Sequence, residues 1–157
     1  MLGSIRPDDW NLSLFFHVLG AMVMVGSIVL ALAYIWGADR DHTGAALTRG
    51  FRVLVMATIP AYLVMRVFAE VIYEKEFGDA ETDPSWIGIG YGVADLGLLF
   101  ILFATLTAWL GARRMRRAAA EGNESAAAAS VRTATVLVSV VLLADVIAIW
   151  AMTAKPL

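Results

Sequence analysis

Five ionisable side chains stand in stretches that are otherwise apolar: His17, Arg66, Glu70, Asp95 and Asp145. An imidazole, a guanidinium and three carboxyls can exchange protons, neutralise one another or hold a cation. Each costs at least roughly 2–3 kcal/mol at the centre of a bilayer when unpaired. Their charges do not balance, because three carboxyls face one arginine and only His17 can add a second positive charge. The surplus is relieved by protonating a carboxylate, by protonating His17 or by binding a cation. His17, Glu70, Asp95 and Asp145 are also suitable ligand types for a divalent metal such as zinc or manganese.

These groups need elements that carry them into an apolar phase, and the composition supplies such elements. Of 157 residues, 60% are apolar and 17% charged, and the mean hydropathy is +0.74. Soluble domains run at about 45–50% apolar and about 25% charged. A spanning helix needs roughly 20 mostly apolar residues. Four stretches meet that requirement, about Asn11 to Trp36, Phe51 to Tyr73, Trp86 to Ala112 and Val131 to Met152. The first is read as a retained span, since its apolar run is too long for a signal peptide and its leader carries Asp8 and Asp9 against Arg6. With backbone groups needing internal partners in lipid, the expected fold is a single all-α domain, a four-helix up-down transmembrane bundle.

Orientation follows from the positive charges in short loops. Arg40, Arg49 and Arg52 follow the first span, and Arg113, Arg114, Arg116, Arg117 and Arg132 follow the third. The opposite side carries Arg6, Lys75 and Lys155 beside an acidic run from Glu74 to Asp83. Both termini are therefore expected outside and both basic loops in the cytoplasm, in a bacterial-type inner membrane. Tryptophan prefers the membrane–water boundary. Trp10, Trp86 and Trp150 fall at the expected outer ends and Trp36 and Trp109 at the inner ends. Asp83-Pro84-Ser85-Trp86 reads as a helix start, and Gly122-Asn123-Glu124-Ser125 breaks an Ala-rich cytoplasmic linker.

At about 1.5 Å rise per residue, this topology brings all five ionisable residues into one slab on the order of 10 Å thick in the outer half. Arg66 and Glu70 share a face at i,i+4, with Tyr62 one turn earlier. Gly88 and Gly92 form a close-packing motif on the face of Asp95, which predicts that Asp95 points into a helix contact. His17 aligns with Gly20 and Ala21, again a small-residue face. Asp145 has Val141, Ala148 and Met152 at helical spacing, so its cost alone turns it inward. Pro60 is expected to bend the second span just below Arg66.

Three functions fit these residues. One is a cation or proton site in the outer half, part of an oligomeric transport path. A second is a haem or quinone redox protein, with His17 as an axial ligand and Arg66 on a propionate; Met65 or a symmetry mate would then complete the ligation, since His42 lies in a loop. The third is a non-catalytic accessory or assembly subunit whose polar cluster fixes helix register. The expected partners are the lipid bilayer and either further copies of the chain or a larger membrane complex. A net charge of −2 argues against nucleic acid. The absence of cysteine excludes disulfides, thiolate metal sites and thiol catalysis. Phosphate loops and nucleophile elbows are absent, and no lysine in a span could carry retinal.

The run Phe16-His17-Val18-Leu19-Gly20-Ala21 with Gly26, and the later Asp83-Pro84-Ser85-Trp86, Gly90-Tyr91 and Asp95-Leu96-Gly97, resemble uncharacterised small four-span bacterial integral membrane proteins. More distantly, the first helix is similar to that of copper-resistance-D-like membrane domains. The second resemblance implies metal handling, with His17 the matching position.

Overall fold

Inside a bilayer no water is present to satisfy backbone N–H and C=O groups, and helices satisfy them within one segment. In a computed structural model of the chain, the described residues are 8–41, 44–77, 85–121 and 128–154, and all of them are helical. The elements are α1 (Asp8–Asp41), α2 (Gly44–Val53), a π-helical turn (Leu54–Thr58), α3 (Ile59–Phe77), α4 (Ser85–Glu121) and α5 (Ala128–Ala154). Four units are long and apolar enough to cross a membrane: α1, the continuous run from Gly44 to Lys75, α4 and α5. The expected all-α four-helix bundle is the fold observed.

The helices overrun the expected spans at the arginine-rich end. The second span starts as helix at Gly44 rather than Phe51, because α2 is amphipathic: Ala46, Leu47 and Gly50 are buried, while Arg49 and Arg52 are exposed. The third continues to Glu121, so much of the expected linker is helix. Asp83, Pro84 and the Gly122 to Ser125 break lie outside the described residues, as do His42, Arg6 and Lys155. Trp36 and Trp109 sit toward the arginine-rich end, and Trp86 and Trp150 toward the other; the Trp10 side chain lies outside the description.

Packing is small-in and large-out. Ala31, Ala38, Ala104, Ala108 and Ala134 are fully buried, whereas Met22, Met56, Phe103 and Leu143 point outward. Lipid tails are as apolar as leucine, so helices associate through close backbone approach rather than by hiding large side chains. On α5 the buried positions Val131, Ala134, Val138, Val141 and Asp145 alternate steps of three and four residues, the seam of a left-handed helix pair. On α4 the matching inward positions are Ile87, Gly90, Gly97, Ile101, Ala104 and Ala108.

The expected glycine contacts divide. Gly20 is a true crossing point: a Cβ there would lie 2.7 Å from the Met65 backbone nitrogen and 3.0 Å from the Ala61 carbonyl oxygen. Gly88 and Gly92 do not pack as expected. A Cβ at either meets nothing within 4 Å, because the α4 seam runs along a different face of the helix. Pro60 has no N–H and its ring crowds the carbonyl four residues back. The π-helical turn just before it accommodates this, with the Ile59 N–H donating to the Leu54 carbonyl. Beside that turn the hydroxyls of Ser27 and Thr58 pair at 2.8 Å, and Ser27 also donates to the Met24 carbonyl.

The helices are not equally close. α1 packs on α3 and α5, and α4 on α5; α2 lies along α4 near the arginines, but α3 touches α4 at few points. The bundle is thus shut at the arginine-rich end and parted between α3 and α4 at the other. Gly20→Ala is expected to lower stability by about 1–3 kcal/mol, while Gly92→Ala leaves it within about 1 kcal/mol of wild type. Thermal unfolding of both variants in one detergent checks the contrast, and equal melting would disprove the crossing.

Candidate functional site

The parted half of the bundle holds the intramembrane ionisable residues. Counted along their own helices, all five lie about 10–17 Å from the ends opposite the arginines. The structure brings three of them into direct contact. Arg66 donates to the Glu70 carboxylate one helical turn away, and its Nε lies 3.6 Å from Asp95 Oδ1. The Tyr91 hydroxyl donates to Glu70 Oε2 at 3.0 Å, and the guanidinium sits 4.4 Å from the centre of the Tyr91 ring. Tyr73 packs edge-on against Tyr91. One arginine is therefore shared by two carboxylates and an aromatic face.

This cluster occupies the gap between α3 and α4. The Asp95 side chain is 65% exposed and that of Glu70 50%, against 23% for Arg66. Asp95 thus differs from expectation: it lies on the open Gly88–Gly92 face of α4 and meets α3 at Arg66. Carboxylates so exposed within a span are tolerated where water or protein meets them, not acyl chains.

His17 is used differently. Its Nδ1 lies 3.0 Å from the Met65 carbonyl oxygen. A carbonyl only accepts, so Nδ1 carries the proton and donates. The Gly20 crossing one turn along sets the approach that makes this bond. Among the described residues, no three His, Asp or Glu side chains are grouped to hold a metal ion. The divalent-metal set of His17, Glu70, Asp95 and Asp145 is therefore not assembled, because Arg66 takes up Glu70 and Asp95 while Asp145 stands apart.

Asp145 is the unusual member. It is only 8% exposed, and its Oδ2 has no hydrogen-bond partner among the described residues. It faces a cavity of about 110 Å³ lined by α1, α3, α4 and α5. His17, Tyr62, Arg66 and Tyr91 reach the same cavity, whose remaining wall is apolar and includes Met24, Met65 and Met152. Gly97 is buried, yet a Cβ there would meet nothing within 4 Å, because it opens onto this space. Gly90, by contrast, is covered: a Cβ there would lie 2.5 Å from the terminal methyl of Met152.

Tyr91 was not among the expected site residues, although it stands one turn before Asp95 and the i,i+4 spacing is a usable signal. Gly97, at i+2 from Asp95, points to a different face and carried none. Comparison with protein-family models, with curated proteins and with solved structures finds no match to this chain.

Replacing Arg66 with Leu removes the cation that pairs with Glu70 and Asp95. A loss of about 1–3 kcal/mol is expected, below the full cost of breaking a buried pair because both carboxylates are part-exposed. Adding Glu70→Gln and Asp95→Asn to that variant should restore much of it. Thermal unfolding of the single and triple variants checks this; no recovery in the triple variant would mean that Arg66 acts through packing alone.

Proposed function

We propose that the chain is an integral membrane protein that binds a proton or other cation at Asp145, within a vestibule in the outer half of a bacterial-type inner membrane. The observation carrying this reading is the orphan Oδ2 of a carboxyl group more than nine-tenths buried in a mostly apolar cavity. A buried carboxylate without a cationic partner is too costly to persist, so the group takes a proton or admits a cation. Arg66 cannot supply the charge, being engaged by Glu70 and Asp95. The proposed orientation is supported by the arginines: Arg49, Arg52, Arg113, Arg114, Arg116, Arg117 and Arg132 gather at one end of the bundle, and the excess of positive charge in cytoplasmic loops favours that end inside and the termini outside.

Four helices form a thin bundle, and the cavity is shut toward the arginine-rich end by the packing of α2 on α4. A single copy therefore binds at one side, and carriage across the membrane would require assembly with further copies. In that assembly Glu70 and Asp95 flank the way in, and His17 reaches the cavity from α1.

The test is direct observation of the carboxyl group. Infrared difference spectra of the purified protein, titrated through about pH 5–8, should contain the carbonyl stretch of a protonated acid that disappears in Asp145→Asn. The other titratable side chains at the cavity, His17, Tyr62, Arg66 and Tyr91, give no such band. Identical spectra for wild type and Asp145→Asn, with no cation-induced change in either, would remove the proposal.

A further inference from the structure

We infer that the cation received at Asp145 is an organic ammonium with a small apolar body, reaching the cavity through the opening between α3 and α4. The inference rests on the reading of Asp145 as a cation site and goes on to name the ligand chemistry.

Hard metal cations are poorly matched to this cavity. Calcium takes six to eight oxygens and magnesium a near-ideal octahedron. Here one carboxyl group stands largely alone, with Glu70 and Asp95 tied to Arg66 and Tyr91 bonded to Glu70. An ammonium group asks for much less. It needs one or a few acceptors and gains from an aromatic face. Asp145 Oδ2 is a free acceptor, and Tyr62, buried on α3, presents its side chain to the same space.

The rest of the cavity suits an apolar body. Methionines line three sides, from α1, α3 and α5, and such unbranched, polarizable chains adapt to irregular ligands. The volume of about 110 Å³ is somewhat below the ~150 Å³ of an apolar cavity that holds benzene. It suits a body of about four carbons, with any longer tail leaving through the gap. That gap has bare Gly88 and Gly92 on its α4 side. Near it the single Arg66 is paired with both Glu70 and Asp95, a net negative potential that draws cations inward.

The probe is n-butylammonium, with n-butanol as its neutral counterpart and sodium and calcium as inorganic comparators. Binding is followed by saturation-transfer NMR on full-length protein in nanodiscs of uncharged lipid. Butylammonium should bind the wild type, and butanol, sodium or calcium should displace it poorly. Asp145→Asn should weaken it by about tenfold or more. Gly97→Val, placed where a Cβ has free space, should fill the cavity and abolish binding while the protein melts normally. No butylammonium binding by wild type, or equal binding by wild type and both variants, overturns the inference. If the carboxyl band is present without amine binding, the ligand assignment fails and the proton site stands; if both are missing, both readings fail.

Discussion

In a membrane, helices gain nothing from hiding large apolar side chains from lipid, and that constraint shapes this protein. Cohesion comes from backbones brought close at small residues, most tightly where Gly20 of α1 meets Met65 and Ala61 of α3. The same crossing lets His17 reach the Met65 carbonyl. Alanines continue the contact toward the arginine-rich end. Where α3 and α4 part, the small residues have no opposing backbone to meet, and the space they leave becomes the cavity. Structural economy and the candidate site thus have one physical source.

Polar groups in such an environment are separated by what they bond. Arg66, Glu70, Asp95 and Tyr91 form a mutually satisfied set at the open edge of the bundle. Ser27 and Thr58 satisfy each other in the interior. Among the described residues, Asp145 alone has a buried side-chain oxygen left without a hydrogen-bond partner. The contrast matters because satisfied clusters hold structure, whereas an unsatisfied acid retains chemical potential for a ligand.

The architecture was legible in the sequence because hydropathy and arginine placement are properties of whole segments. The number of spans, the shared depth of the ionisable residues and the Arg66–Glu70 pair all follow from length and i,i+4 spacing. Helix rotation was less legible. The pattern Gly88-x-x-x-Gly92 suggested a contact, yet the neighbouring row through Gly90, Gly97, Ile101 and Ala104 is the one that faces the bundle interior. Small residues occupy both rows, so size alone could not choose between them. The inward position of Asp145 was written more plainly, in the three-four alternation from Val131 through Val141. The failure of a metal set to form could not be read at all, since it depends on which carboxylates Arg66 captures.

The π-helical turn before Pro60 has a consequence for how the second span tolerates change. A π turn is in effect one surplus residue in an α-helix, and each residue advances the helical wheel by about 100°. Everything beyond it, Arg66 and Glu70 included, is therefore set a quarter-turn or so away from the azimuth that α2 alone would dictate. A lineage that lost one amino acid between Leu54 and Thr58 would keep its hydrophobicity and all but one residue of the span. Its guanidinium would swing away from α4, leaving a well-inserted bundle whose charged partners no longer faced each other.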